Sequence, residues 1–390
     1  MNKLPSLPRL ASALFLGGGV LAVASCGSRT GLFGTDDLGG LLDGSGRFDG
    51  PTRPPDAASD APVKCTPGRF VFERAVPQLM FVLDRSGSMA FALDGRQPDS
   101  RGNLPPGVLS RWKVLHNGLT SAITPFDKTI AMGAKFYPEV EGPDPDIDTG
   151  CLTEVGVGIA PAPGNAKSIL DVFDTTGPLG GTPTAEALRI AAQYLSGARG
   201  VARTMILATD GEPNCNAGLN QFNCICTATL PNGTEVCTQA DTGEPCLDDQ
   251  RTINVVKGIF ESQKIPVYVV GIGGTAPRII SVLDNMAVAG GRPKATSPRY
   301  FSVQTAIEMN DALAAISASV AKCTYLTPSA PTDPSAISVE IGGVSIPRDP
   351  TRTNGWDWVD QAYGTLAFFG TACELASASN PTIGGVVRCD

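Results

Sequence analysis

The chain has 390 residues, including 45 Gly and 32 Pro, with a formal net charge of -8 and a pI near 4.9. This length allows one large domain with a smaller one, or two domains of medium size. The hydrophobic content of 42% is that of a globular protein. An acidic chain without a basic stripe has nothing to displace the counterions of a phosphate backbone, which excludes a role in binding nucleic acid.

The N-terminus has the organisation of an export signal. Lys3 and Arg9 precede an apolar run over residues 10–25, and small residues lead up to Cys26. The run is short and interrupted by glycines, which favours a cleaved signal peptide over 1–25 and not a membrane span. The sequence V-A-S-C resembles the bacterial lipobox, in which the thiol corresponding to Cys26 is acylated. The alternative is an ordinary signal peptide with an incidental cysteine.

Acylation of Cys26 would anchor the exported protein in a membrane of the cell envelope. Gly27, directly after this cysteine, does not resemble an inner-membrane retention signal, so we expect the outer membrane. Residues 26–64 are rich in Gly, Asp and Pro and have no apolar period. This composition predicts a disordered tether between the anchor and the folded part.

From about residue 65, short apolar runs alternate with amphipathic helical patterns. The pattern predicts strands over 78–84, 129–138, 154–161, 203–210, 265–273 and 299–303. It predicts helices over 109–126, 166–173, 182–195, 249–262, 277–289 and 306–322. Strands separated by helices indicate an α/β fold, with a doubly wound, mostly parallel, Rossmann-like sheet.

Five oxygen-bearing side chains are predicted to meet at one edge of this sheet. Asp84 and Asp210 end two separate buried strands, Ser86 and Ser88 follow the first of them, and Thr182 opens a helix. Sheets of this class bind ligands at the carboxyl ends of their strands. Hydroxyl and carboxylate oxygens form the ligand set of a hard divalent cation, such as Mg2+.

These residues carry a family resemblance. The chain from 65 to 323 resembles a von Willebrand factor A-type (vWA) domain with its metal-ion-dependent adhesion site. That family's signature is Asp-x-Ser-x-Ser after the first strand, a later Thr, and an Asp after the fourth strand. Residues 84–88 match the first part, Thr182 the second and Asp210 the third.

The resemblance implies a role for each of the five residues. The three hydroxyls would ligate Mg2+, or Mn2+ or Ca2+, and the two carboxylates would hold it directly or through water. Family members bind protein partners through this ion, with a Glu or Asp of the partner completing the coordination sphere. The alternative is an ion that only ties loops together.

The cysteines indicate an oxidising compartment. Apart from Cys26 there are ten, enough for five disulfides. Six lie in or near an insertion at 211–248: Cys151, Cys215, Cys224, Cys226, Cys237 and Cys246. The insertion is either a disulfide-held lid beside the ion or a surface loop that the disulfides only stabilise. Because the termini of the vWA fold lie close together, we expect a Cys65–Cys323 bridge, which leaves Cys373–Cys389 as the C-terminal pair.

In the segment 324–390, short β-type stretches separated by glycines replace the alternation of strands and helices, which predicts a small β-rich domain. Gly342-Gly343 lies between two apolar runs, which is a hairpin signal. Trp356 and Trp358 are either a platform for stacking carbohydrate or, as we favour, part of a small core.

No enzymatic constellation accompanies these features. His116 is the only histidine, and no phosphate-binding loop is present. We therefore predict a non-enzymatic surface or periplasmic lipoprotein that binds a protein partner, in adhesion or another protein–protein interaction. The alternatives are a structural or assembly component of the envelope whose metal site is dispensable, and a metal-dependent hydrolase.

Overall fold

The computed structural model describes residues 62–139, 150–153, 158–196, 201–227, 234–378 and 381–389. The predicted signal peptide, Cys26 and the tether as far as residue 61 lie outside these ranges. Within them, no helix combines the length and apolarity that crossing a bilayer requires.

The described chain alternates strands and helices. The strands are β1 Gly68–Val71, β2 Glu73–Arg74, β3 Gln78–Asp84, β4 Ala131–Tyr137, β5 Gly158–Ala162, β6 Arg203–Thr209, β7 Val267–Ile272, β8 Phe301–Val303, β9 Thr324–Leu326, β10 Ile337–Ile341, β11 Val344–Ile346, β12 Gly355–Asp360, β13 Thr365–Phe369 and β14 Ile383–Val387. The α-helices are α1 Arg111–Ile123, α2 Ala166–Thr175, α3 Thr184–Ser196, α4 Asp249–Gln263, α5 Pro277–Ala289, α6 Ala306–Lys322 and α7 Thr371–Ser377.

A six-stranded sheet forms the centre of the fold, in the order β5-β4-β3-β6-β7-β8. All its neighbouring strands are parallel except the edge strand β5, which runs antiparallel to β4. The predicted doubly wound, mostly parallel sheet is therefore confirmed. Strands β3 and β6 lie in the middle, so the residues that end them emerge side by side.

Helices cover both faces of this sheet. Alternate residues of β3 point to opposite faces: Leu79, Phe81 and Leu83 join a core with α1, α2 and α6. Met80 and Val82 join a second core with α3, α4 and α5. Burial on both faces explains why these strands read as continuous apolar runs.

Two smaller sheets pack into a β-rich part of the molecule, with strand orders β1-β14-β10-β11 and β12-β13-β9-β2. The predicted hairpin is β10–β11, whose turn residues Gly342 and Gly343 have φ of +57° and +83°. Such a turn requires positive φ at both positions, which glycine adopts without strain. Because β1 and β2 pair with β14 and β9, this β-rich part is not confined to residues 324–390.

Both tryptophans of β12 belong to the core of this part. Trp356 and Trp358 are 2% and 5% exposed, and their rings meet edge to face at 5.4 Å between centroids. They pack with Phe72, Tyr325 and Phe368. Burial leaves no open face for stacking a sugar, so the core interpretation is the correct one.

The terminal disulfides differ from the predicted pairing. Cys65 pairs with Cys389, and Cys323 pairs with Cys373, in place of Cys65–Cys323 and Cys373–Cys389. The physical reason is the pairing of β1 with β14, which brings Cys65 to the end of the chain. Helix α7, which sequence patterning did not predict, carries Cys373 to the end of α6. The other six cysteines pair as Cys151–Cys215, Cys224–Cys246 and Cys226–Cys237.

Replacing Cys65 and Cys389 by Ser should destabilise the fold more than replacing Cys226 and Cys237. The first bridge spans 324 positions and the second 11, which in the chain-entropy model corresponds to about 5–6 and about 3 kcal/mol. Denaturant unfolding of the two double variants measures this difference. Mass spectrometry of non-reduced proteolytic fragments checks the pairing, and a linked Cys65–Cys323 peptide would contradict it.

Candidate metal centre

Asp84 anchors the site at the end of β3. Its Oδ1 accepts the backbone N–H of Ser86 at 2.7 Å, and its Oδ2 accepts the Thr209 hydroxyl at 2.5 Å. The first bond turns the chain sharply after the strand. The second joins β3 to the neighbouring strand β6. The carboxylate is thus held in place from two elements.

The two serines and the second aspartate form a continuous line of oxygen atoms. Ser86 Oγ lies 3.1 Å from Ser88 Oγ, and Ser88 Oγ donates to Asp210 Oδ1 at 2.9 Å. Asp84, Ser86 and Asp210 are at most 2% exposed, whereas Ser88 is half-buried. The structure therefore brings together four of the five residues from two adjacent strand ends.

Thr182, the fifth residue, faces the same small space. A Cβ placed on Gly211 would lie 3.7 Å from Ser88 Oγ and 3.9 Å from Thr182 Oγ1. The absence of a side chain at Gly211 leaves room between these two hydroxyls. A neighbouring loop is held close as well, since the backbone N–H of Gly87 donates to Gly180 O at 3.0 Å.

The spacing of these oxygens is compatible with a small divalent cation. Adjacent ligands of an octahedral ion at roughly 2.0–2.1 Å are about 2.8–3.0 Å apart, whereas the longer Ca2+ distances give about 3.3–3.7 Å. The separations of 3.1 and 2.9 Å are those of hydrogen bonds between the oxygens, and they place these donors close enough to share one small cation. Hard oxygen donors and the space at Gly211 complete the match, so the residues present suit a small divalent cation.

Sequence patterning did not identify Arg111 as part of the site. Its Nη1 donates to Asp210 Oδ2 at 2.6 Å, within an ion pair whose side chains are 9% and 0% exposed. Arg85, next to Asp84, instead donates from Nε to the carbonyl of Pro138. The available signal was the position of Arg111 at the start of α1, the helix that follows the Asp-x-Ser-x-Ser segment.

Burial alters the acidity of both carboxyl groups. It raises the pKa of Asp84 to about 7; the nearby Asp210 acts in the same direction, while hydrogen bonds from Thr209 and Ser86 lower it. Burial also raises the pKa of Asp210, opposed by the Arg111 guanidinium. Two buried carboxylates side by side are unfavourable without a cation between them.

The loop that carries Thr182 is clamped by the start of the insertion. Thr182 N donates to Asn214 Oδ1 at 2.6 Å, and Asn214 N donates back to Thr182 O at 3.0 Å. Gly181 N donates to Gly150 O at 2.6 Å. The Cys151–Cys215 disulfide ties these two clamping segments to each other. Residues 211–215 thus form a wall of the site, and neither Asn214 nor this bridge was singled out from the sequence.

The rest of the insertion offers no second metal site among its described residues. Sulfur atoms of Cys224, Cys237 and Cys246 lie within 4.8 Å of one another. All three are disulfide-bonded, however, and lack the thiolate that ligates zinc.

The comparisons with known proteins are distant. No family model matches the sequence, and no curated protein matches it. Among solved structures, the minor pilin PilB of Streptococcus sanguinis is 17% identical, with a TM-score of 0.39 over 64% of this chain and 61% of the pilin. The pilus adhesin SpaC of Lactobacillus rhamnosus GG is 15% identical, with a TM-score of 0.43 over 82% of this chain and 40% of the adhesin.

A third similar structure is a von Willebrand factor type A protein from Catenulispora acidiphila. It is 10% identical, with a TM-score of 0.39 over 85% of this chain and 67% of that protein. The chain spans less than two thirds of the pilin and of the adhesin, and identities this low assign no function. With its parallel sheet, covering helices and Asp-x-Ser-x-Ser segment at the end of a central strand, the domain is vWA-like.

Without a bound ion, the contribution of Asp84 to stability should fall as the pH rises from about 4 to about 7. Asp84 releases its proton near 3.8 when unfolded and near 7 when folded, so the folded state binds the extra proton between these values. In EDTA, the thermal midpoint of Asp84→Asn should therefore rise relative to that of the wild type across this range. Asp171→Asn, at an exposed position on α2, is the control; equal slopes for all three proteins would contradict the prediction.

Breaking the Cys151–Cys215 bridge should weaken ion binding without unfolding the domain. The double Ser variant frees the two segments that position Thr182, and we expect about tenfold lower Mg2+ affinity, or about 1.4 kcal/mol. Titration calorimetry measures this change. The matched control replaces Cys226 and Cys237, in the same insertion, and should bind like the wild type. Equal affinity for both variants would show that the bridge does not position the loop.

Proposed function

We propose that this domain binds a divalent cation, Mg2+ in the first instance, and through it a protein partner that presents an Asp or Glu side chain. The role would be adhesion or another protein–protein interaction. The observation that carries the proposal is the line of oxygens from Ser86 through Ser88 to Asp210, beside the buried carboxylate of Asp84. Ser86, Ser88 and Thr182 would ligate the ion through hydroxyls, and the aspartates would hold it directly or through water.

The chemistry of the donors supports ligand binding over a purely structural ion. Hydroxyl ligands are neutral, and Arg111 already compensates one of the two carboxylates. An ion held in this way keeps a positive charge, which a partner's carboxylate can neutralise. Mn2+ has the same preference for oxygen ligands and is the expected substitute.

We propose a non-catalytic role for the same site. Acid–base chemistry needs a titratable group within hydrogen-bonding reach of the reacting atoms. His116 lies on α1 and stacks on Phe173, with ring centroids 4.8 Å apart. This ring is not part of the line of oxygens, and the carboxylates of Asp84 and Asp210 would be occupied by the proposed ion. A hydrolase would require turnover that EDTA abolishes, and this remains the test of that alternative.

The cellular setting belongs to the proposal as well. Export, acylation at Cys26 and anchoring in the envelope, by expectation in the outer membrane, would place the domain where a partner on another surface can reach it. The five disulfides suit such an oxidising compartment.

The most selective test of the ion site is Gly211→Ala. The added methyl would occupy the space between the Ser88 and Thr182 hydroxyls, yet it would meet no atom closer than 3.7 Å. The fold should therefore survive, while Mg2+ affinity measured by titration calorimetry falls at least tenfold. Gly177→Ala, where a Cβ would meet nothing within 4 Å, is the matched control.

Partner binding is tested separately with Ser86→Ala. Proteins from envelope extracts that the wild type retains in Mg2+ should be released by EDTA and should not bind the variant. Retention by Ser86→Ala to the same extent would favour the structural or assembly alternative, with a dispensable ion. A folded wild type that binds neither Mg2+ nor Mn2+ would overturn the proposal.

A further inference from the structure

Arg111 lies beside the candidate metal site, where both its backbone and its side chain are held by hydrogen bonds. It is the first residue of α1, its backbone N–H donates to the Phe91 carbonyl at 2.8 Å, and Ser110 caps the helix before it. Its side chain is only 9% exposed, and its partner Asp210 is fully buried. Burying a guanidinium is costly unless a carboxylate compensates it, so the pair forms one electrostatic unit.

The surrounding backbone leaves a slot for this guanidinium. Gly273, with φ of +76°, directly follows β7; a Cβ there would lie 2.8 Å from Arg111 Nε and 3.0 Å from Leu93 O. Phe91 lies beside the slot, with its ring centroid 5.9 Å from Arg111 Cζ. The slot thus fixes the orientation in which Arg111 reaches Asp210.

In this orientation, one hydrogen-bond donor of the Arg111 guanidinium has no partner in the part of the chain that the structure describes. Arg111 Nε is buried and has no hydrogen-bond partner among the described residues. An unmade bond of this kind is destabilising, and more so on a charged group. A purely structural cation could relax to a better-satisfied position at the surface. The surrounding residues thus hold Arg111 where Nη1 contacts Asp210, although Nε has no hydrogen-bond partner there within the described ranges.

The charges of the site show what this contact achieves. Asp84 and Asp210 together carry two negative charges when ionised, and Arg111 contributes one positive charge. A divalent cation added to these three groups leaves a net charge of about +1, whereas without Arg111 the loaded site would be neutral. The guanidinium repels the ion and at the same time makes the loaded site attractive to an anion.

We infer that Arg111 is a specificity-determining residue, which weakens cation binding so that the loaded site keeps a positive charge and selects a carboxylate ligand. This inference rests on the proposed function, because it concerns the same ion and the same ligand. It goes further by assigning the selectivity for anions to a residue that does not ligate the ion.

The inference predicts effects of opposite sign on the two ligands. Arg111→Gln keeps an amide donor near Asp210 but removes the charge. Mg2+ affinity should rise about tenfold, and the affinity of the loaded site for a carboxylate should fall about tenfold. A residue that only supports the fold would not do this, because damage to the site weakens both equilibria together.

The experiment uses the full chain in detergent and two probes. Calorimetry gives the Mg2+ affinity of the wild type, Arg111→Gln and the charge-retaining Arg111→Lys. Electron paramagnetic resonance of the Mn2+-loaded proteins then reports the replacement of ion-bound water during titration with acetate. Arg96→Gln is the matched control, since Arg96 is an exposed cation paired with Asp94, and it should behave like the wild type.

The possible outcomes separate this inference from the proposed function. Tighter Mg2+ and weaker acetate binding in Arg111→Gln, with smaller changes in Arg111→Lys, support the inference. A wild type that binds Mg2+ while Arg111→Gln matches it in both titrations overturns the inference and leaves the proposed function standing. Loss of both affinities in Arg111→Gln also overturns it, because that result indicates a supporting role. A wild type that binds neither ion overturns both.

Discussion

Two carboxylates, Asp84 and Asp210, are buried at the ends of adjacent parallel strands, and the design of this edge follows from that constraint. Close burial of like charges raises their pKa values and costs stability unless a cation or hydrogen bonds compensate them. Thr209 and Ser86 donate to Asp84, while Ser88 and Arg111 donate to Asp210. The carboxylates are thus held in place by hydrogen bonds and an ion pair, so an ion that bound there would require little reorganisation.

This positioning depends on elements far apart in sequence. The wall formed by 211–215 holds Thr182 through Asn214, and the Cys151–Cys215 disulfide ties that wall to the loop that accepts from Gly181. Loops are ordinarily the least ordered parts of a fold. Here a covalent link, a backbone–backbone hydrogen bond and a hydrogen bond to the Asn214 side chain hold the loop, as a ligand of a small octahedral ion would require.

Much of this fold could be predicted from the sequence because its signals are local. Apolar runs such as 78–84 define strands buried on both faces. The runs over 78–84 and 203–210 each end at an aspartate, whose place at the sheet edge follows from parallel topology. Pairings over long sequence distances carry no such signal. β1 and β2 are only 4 and 2 residues long, so their pairing with β14 and β9 could not be read from periodicity. The observed pairing of the terminal cysteines depends on those strands, so the pairing predicted from the sequence was wrong. Arg111 was missed because an arginine at the start of a helix usually faces solvent.

The β-rich part and the candidate metal site lie at opposite ends of the central strands. Ala75, just before β3, donates to Thr324 at the start of β9, so this part adjoins the amino ends of the central strands. Val63, near the start of the described chain, donates to Ala362 within it. The metal centre lies at the opposite, carboxyl ends, across a seven-residue strand of about 23 Å. The five oxygen-bearing side chains are therefore positioned at the other end of the sheet, by the central strands, by α1 and by residues 211–215.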